Sequence, residues 1–385
     1  MATGQHVLWG TPHSLYTGKA RSYLIKKQIP FAERTPGDPH FLGDIVPAIG
    51  HMVVPVLETA AGELVQDTSA IIDHLEARYP EPVLTPPGGV QRVVAAFLDA
   101  FGSNYLLPLA MHYRWSYRAE QELFLQAEFA RAVPPGMPYE QRLMMAGAFM
   151  DRFSGFLPNL GVTPAVIPAM EASYLELLAV LEAHFRLHPY LLGGRPSLAD
   201  FGLIAPLYAH LARDPVPARL MRTQAPNVAR WTERMNNPAI ADSDYADTSG
   251  TFPADDAIPE SLEAVLQVAF AQWGPGLAAD AAQFDRWLEN LGDAPAGTLV
   301  SHDGQRQVHP HVGRVNYPWR GVTMERASQP HSLWHLARAQ TLAKALPAAE
   351  TAALAALLER TSGTAVMAIR TARAITRAEN VLVLA

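Results

Sequence analysis

The sequence predicts an α/β domain at the N-terminus, then an all-helical region, then a mostly helical C-terminal part with a few short strands. Three observations predict it. As far as Leu84, short apolar and β-branched runs alternate with helical patterns. From Val90 to about Pro238, apolar residues recur at helical spacing with turn signals between them. Beyond Asp242 the helical pattern resumes, broken by strand-like segments around VGRVNYPWRGVTMER.

In chain order, His6 to Trp9 is a short apolar strand. Thr11-Pro12-His13-Ser14 breaks it, and Tyr16 to Lys27 reads as a helix with Tyr16, Ala20, Tyr23 and Leu24 on one side. Ile29 to Arg34 is a second strand. The connection Pro36 to Gly50 exceeds the usual few residues, and long connections often carry function. Val53 to Glu58 is β-branched with Pro55 inside it. Proline donates no ladder hydrogen bond, so Pro55 argues for an edge strand or a break. Thr59 to Gly62 is a turn by composition, and Glu63 to Val65 returns the chain as a hairpin. Asp67 and Thr68 stand at the N-cap of a helix whose Ile71, Ile72, Leu75 and Tyr79 share one face.

Thr85 to Gly89 is a linker. Val90 to Tyr117 is helical, with a kink expected at Pro108. Ala119 to Ala132, Pro138 to Phe156 and Ala169 to Leu187 follow as helices. Ser197-Leu198-Ala199-Asp200 has the spacing of a reciprocal N-terminal cap, and Pro226 to Pro238 is another helix. Asp242 to Pro259 is acidic and rich in Ser, Pro and Asp, a boundary by composition. Ser261 to Gln272 and Ala279 to Leu291 read as two helices. Thr298 to Ser301 and His309 to Arg326 read as short strands, and Ser332 to Leu346 and Ala348 to Arg377 as helices. The expected domains are 1–84, 90–240 and 250–385, the last of unknown role.

The chain has 385 residues, 49% of them apolar, which suffices for a sizeable core. Its formal net charge is −7 with both signs dispersed, so no basic stripe points to nucleic acid. Cysteine is absent, which removes disulfides, thiolate zinc sites and a cysteine nucleophile. No apolar run is read as reaching the roughly 20 residues of a membrane span. The N-terminus lacks the basic and apolar parts of a signal peptide, so a cytoplasmic protein with no membrane partner is expected. His302, His309, His311, His331 and His335 concentrate near the C-terminus. No Glu follows His331 to make a His-Glu-x-x-His zinc motif, and no metal is expected.

The string MVVPVLETAAGELVQDTSAIIDHLEARY, from Met52 to Tyr79, resembles the glutathione site of the glutathione S-transferase family. The later PYLLGGRPSLADFGLIAPLYAHL resembles the start of the family's buried C-terminal helix, and PNVARWTERMNNP its following helix. The resemblance covers about Val7 to Pro238. It implies a thioredoxin-like domain, an all-α transferase domain and an extension without counterpart in the minimal family. It also implies that Pro55 is cis and that glutathione, as co-substrate, pairs with the backbone of Val54 as a short extra strand. Asp67 matches the residue that receives the γ-glutamyl ammonium. Thr68 matches the hydroxyl residue that holds the γ-glutamyl carboxylate at the positive helix end. The same Asp and Thr also read as ordinary caps.

Aligned on the family pattern, TPHSLYTGKARSYLIKKQIPF puts Ser14 at the catalytic position, with Tyr16 and then His13 as competing polar groups. A hydroxyl donating to sulfur favours the thiolate of a thiol whose ordinary pKa is near 8.5. Ser14 would therefore stabilise the glutathione thiolate without being a nucleophile. Family members often place a basic residue before Val-Pro to hold the glycine carboxylate. Here His51 is nearest, and His40 or Lys19 are alternatives. Met111, Tyr113, Trp115 and Tyr117 read as core or as an acceptor pocket. The function implied is thiolate attack on a small hydrophobic electrophile or a peroxide, in a homodimer. The alternative is a non-catalytic module of the same fold for protein interaction or ligand binding.

Overall fold

The computed structural model describes residues 4–385. The N-terminal part runs β1 (His6–Trp9), α1 (Leu15–Lys26), β2 (Phe31–Arg34), a π-helical turn Phe41–Ile45 leading into α2 (Val46–Ile49), β3 (Val56–Glu58), β4 (Leu64–Gln66) and α3 (Thr68–Glu76). The sheet order is β2-β1-β3-β4. β1 and β2 are parallel, and β3 is antiparallel to both β1 and β4. This is the thioredoxin-like arrangement. Val7, Trp9, Phe41, Ile45, Ile49 and Val56 form a core on one side of the sheet, with Val53 and Val54 packed against it. The expected edge or break at Pro55 is corrected in one respect. β3 is an interior strand paired on both sides, and it tolerates the proline because pairing starts one residue later, at Val56.

The helices that follow are α4 (Gly89–Ala100), α5 (Leu106–Trp115), α6 (Arg118–Phe129), α7 (Tyr139–Ser154), α8 (Ile167–Phe185), α9 (Leu198–Pro206), α10 (Pro215–Gln224) and α11 (Pro226–Arg234). A π-helical turn at Phe101–Tyr105 joins α4 to α5. The expected irregularity at Pro108 thus falls one turn earlier, where the widened backbone precedes the residue lacking an N–H. The continuous helical stretch 89–115 is long and apolar enough to cross a membrane, which the sequence reading passed over. Its apolar window is 89% buried in the protein, as in a core helix.

The chain divides into two compact units. One comprises residues up to Leu84, Ala110–Leu157 and Phe201–Ile240. Within it α1 is held by Tyr23 edge-on to Phe201 at 5.2 Å, by Ser22 Oγ donating to Met235 O at 2.8 Å, and by Lys26 Nζ donating to Ala239 O at 2.6 Å.

The other unit comprises Thr85–Leu109, Pro158–Asp200 and Ala241–Ala385. It adds α12 (Glu260–Leu291), the hairpin β5 (Arg314–Trp319) and β6 (Val322–Ala327), α13 (Pro330–Lys344), α14 (Ala348–Arg360), α15 (Thr364–Met367) and the hairpin β7 (Ile375–Ala378) and β8 (Val381–Leu384). Asp200 Oδ2 accepts from Ser197 N and Oγ, and Oδ1 from Leu191 N, which builds the Asp200 half of the expected reciprocal cap. α13 and α14 pack on α4, and α12 on α8. The N-terminus of α4 is capped from the extension: Asp256 accepts from Val90 N at 2.7 Å and Gln91 N at 2.9 Å. Gly88 permits this, since a Cβ there would stand 1.9 Å from the Asp256 carboxylate.

Two expectations fail in the extension. The two helices expected at 261–272 and 279–291 are one 32-residue helix, α12, with Pro275 inside. The proline removes one intrahelical bond, and the Trp319 indole donates to the nearby Gln272 carbonyl at 2.9 Å. The helix expected from 348 to 377 ends at Arg360. Ser362 takes φ +60°, and the chain closes with β7 and β8 around Glu379 and Asn380, both at positive φ. That is the twist a two-residue hairpin turn needs.

Candidate functional site

Strand register assembles the site. Trp9 pairs with Val56 and Val56 with Gln66, both antiparallel. One step further, Pro55 stands between Gly10 and Asp67. The loop to Ser14, the Val54–Pro55 step and the start of α3 therefore share one end of the sheet. The Val54–Pro55 peptide is cis, as the resemblance implies.

Ser14 is the N-cap of α1, with φ −82° and ψ 123°. Its half-buried Oγ accepts from Thr17 N at 3.3 Å, which leaves the hydroxyl proton to donate elsewhere. Tyr16 is half-buried and feels the Asp67 carboxylate. Burial first and Asp67 second push its phenol above the ordinary value, so it stays protonated. Asp67 caps α3, accepting from Ser69 N at 2.8 Å and Ala70 N at 3.4 Å. Its φ of +85° is a backbone state rare for any residue with a Cβ. Thr68 is buried in the first turn of α3. His51 is half-buried just after Gly50, the C-cap of α2.

Several candidates are drawn elsewhere. Arg21 forms a two-pronged pair with Glu33 at 2.5 and 2.7 Å. Lys19 is fully buried. His40 bonds Asp44 at 2.8 Å, the main cause of its raised pKa. Met111, Tyr113 and Trp115 are buried, as core residues are, while Tyr117 stacks half-buried on Tyr113 at 5.8 Å. In the extension His331 bonds the Val308 carbonyl, and His335 bonds Asn104. Among the described residues no group of three His, Asp or Glu is placed to hold a metal ion.

Sequence reasoning missed a buried polar knot behind Ser14. Arg114 Nε and Nη2 donate to the two oxygens of Asp214 at 2.7 and 2.8 Å. Nη2 also donates to Ala209 O at 2.9 Å. Nη1 meets His210 Nε2 at 2.8 Å and donates to His13 O at 2.9 Å. Nearby, Arg213 pairs with Glu128 at 2.6 Å. The His13 ring stacks on Phe129 at 4.3 Å. Burial, and then Arg114, hold both His13 and His210 well below the ordinary histidine value, so both are neutral. An arginine between Tyr113 and Trp115 in an apolar run was the available signal. Its partner lies 100 residues away.

Residues 8–83 match the glutathione S-transferase N-terminal domain model, and residues 164–234 the C-terminal domain model. No curated protein matches the chain. Among solved structures it is similar to glutathione transferase GSTFuA3 from Phanerochaete chrysosporium, with 17% identity over 62% of this chain and 98% of that one, at a TM-score of 0.43. It is also similar to a glutathione S-transferase from Methylobacterium radiotolerans in complex with glutathione sulfonate, with 21% identity over 65% and 96%, at a TM-score of 0.36. A third is the beta-etherase LigF from Sphingobium, with 20% identity over 60% and 95%, at a TM-score of 0.37. Residues past 234 lie outside both domain matches. One model falls on the sheet domain and the other on the helices from α8 through α11, so these two segments match the N- and C-terminal domains of glutathione S-transferases.

Proposed function

We propose that the protein is a glutathione-dependent transferase in which Ser14 stabilises the thiolate. The observation that carries this is the convergence of Ser14, Val54–Pro55 and Asp67 on one end of the sheet, with a helix starting at each of two of them. Glutathione lies along Val54 by backbone pairing. Asp67 receives its ammonium, Thr68 and the N-terminus of α3 its γ-glutamyl carboxylate, and His51 its glycine end.

The Ser14 hydroxyl accepts from Thr17 N and donates its proton to sulfur, and the N-terminal end of α1 adds positive potential there. The thiol proton passes to water. His13 does not take it, because burial and neighbouring guanidinium groups make its ring a weak base. In conjugation, sulfur forms a bond to an electrophilic carbon and the leaving group departs with its electron pair. In peroxide reduction, sulfur attacks oxygen and the O–O bond breaks to give a sulfenate and an alcohol. A second glutathione then yields the disulfide and water. Without cysteine, exchange through a protein disulfide has no carrier.

Retention on immobilised glutathione tests the reading. The wild type should be held and eluted by free glutathione, and Asp67→Ala should pass through. A wild type that is not retained would favour the non-catalytic module instead.

A further inference from the structure

We propose that Arg114 is the positioning residue for Ser14, acting through the peptide plane between His13 and Ser14; this rests on the thiolate role of Ser14. The His13 carbonyl and the Ser14 N–H belong to one planar unit. Both ends are tied. Arg114 Nη1 donates to His13 O at 2.9 Å, and Ser14 N donates to Thr11 O at 3.1 Å. With the plane fixed, the rotations on either side of it set the direction of the Ser14 Cα–Cβ bond and so of its hydroxyl.

The anchor itself is rigid. Arg114 is 2% exposed, and its five N–H donors match five bonds, to Asp214 twice and to His13, Ala209 and His210 once each. A guanidinium so forked cannot rotate without breaking several bonds at once. The His13 side chain adds a second hold through Phe129 at 4.3 Å and Thr11 Oγ1 at 3.3 Å. The charged groups around the turn besides Arg114 and Asp214 are Arg213, Arg131, Arg21 and Glu128.

The experiment titrates the thiol of bound glutathione by thiolate absorbance in the wild type, Ser14→Ala, Arg114→Lys and the combination. Lysine keeps the charge and loses the fork. Arg114→Lys should raise the apparent thiol pKa by about one unit, a roughly tenfold loss of thiolate at fixed pH. The combined variant should rise no further than Ser14→Ala, because the two residues act on one bond. Affinity for S-methylglutathione, which has no thiol to ionise, should stay within about twofold of wild type. A purely structural role would leave the thiol titration unmoved.

If Ser14→Ala raises the value and Arg114→Lys does not, the positioning role is wrong and the serine role stands. If Ser14→Ala itself changes nothing, both fall. Should Arg114→Lys not fold, Arg114→Met/Asp214→Leu carries the test, since buried ion pairs often tolerate apolar replacement. Failure of both to fold would make the knot a folding element and overturn the proposal.

Discussion

Among the described residues, a buried arginine–aspartate pair stands in each unit, and the two are used differently. Arg114–Asp214 and Arg326–Asp280 are both two-pronged, with bonds of 2.7 to 2.9 Å, and all four residues are buried. Arg326 spends its other donors on Tyr317 Oη, Ala327 O and, at 3.4 Å, Gly276 O, while Asp280 also accepts from Gln329 N. That pair stitches the β5–β6 hairpin to α12. Arg114 spends its other donors on the turn before α1 and on the segment at 209–210. Burial works against the Arg326 charge, but Asp280 and Tyr317 outweigh it and hold the guanidinium above its ordinary value. Burial pushes the Asp214 carboxyl up in spite of Arg114. Burial opposes a charge in both pairs, and the two differ in where their remaining donors go.

The largest effect comes from breaking either pair. Asp280→Ala leaves a buried guanidinium uncompensated and the Gln329 N–H without its acceptor. It should cost about 3–5 kcal/mol, and Asp214→Ala should fall in the same range. Urea unfolding measures both. A cost for either near that of a surface substitution would break the comparison.

A smaller effect separates the pairs. The folded pKa of Asp214 lies above its unfolded value. Its contribution to stability is therefore fully present below the unfolded value and is lost as pH rises through the folded one. Asp214→Asn keeps the shape without the ionisation, so the advantage of the wild type over Asp214→Asn should shrink as pH is raised from acid to neutral. At neutral pH Asp280→Asn and Asp214→Asn each lose charge-assisted bonds to a buried arginine, and each should cost about 2 kcal/mol. Unfolding midpoints across pH decide it. A wild-type advantage over Asp214→Asn that grows with pH would reverse the assignment.

The same contrast explains what the sequence made legible. The sheet domain was readable because its signals are local. Strand runs are bounded by Pro and Gly, and Asp67 and Thr68 stand at a helix start; in the helical part Ser197 and Asp200, three residues apart, give an equally local signal. What failed to show depended on distant partners. Pro275 reads as a break until Trp319, from a hairpin over forty residues later, bonds the helix beside it. Arg377 reads as the end of a helix because the alanine-rich run before it outweighs a closing hairpin whose turn contains no glycine. The candidate site was legible at Ser14 and Asp67 only as caps, each of its own helix. It was not legible at Arg114, whose five bonds all reach segments about 100 residues away.

The smallest predicted effect is the sharpest test of what the site end of the sheet is for. Asp67 and Asp256 both cap helices, Asp67 its own α3 and Asp256 the distant α4. Either residue changed to Ala should cost about 1 kcal/mol, and only Asp67→Ala should abolish retention on glutathione. Asp67→Gly separates fold from function further. Glycine as an N-cap costs only a few tenths of a kcal/mol against Asp, and it relieves the φ of +85°, which glycine adopts freely. The two effects oppose each other, so stability should move by less than about 0.5 kcal/mol while retention is lost. An Asp67→Gly protein still held by immobilised glutathione would remove Asp67 from the ammonium site and leave it a cap like Asp256.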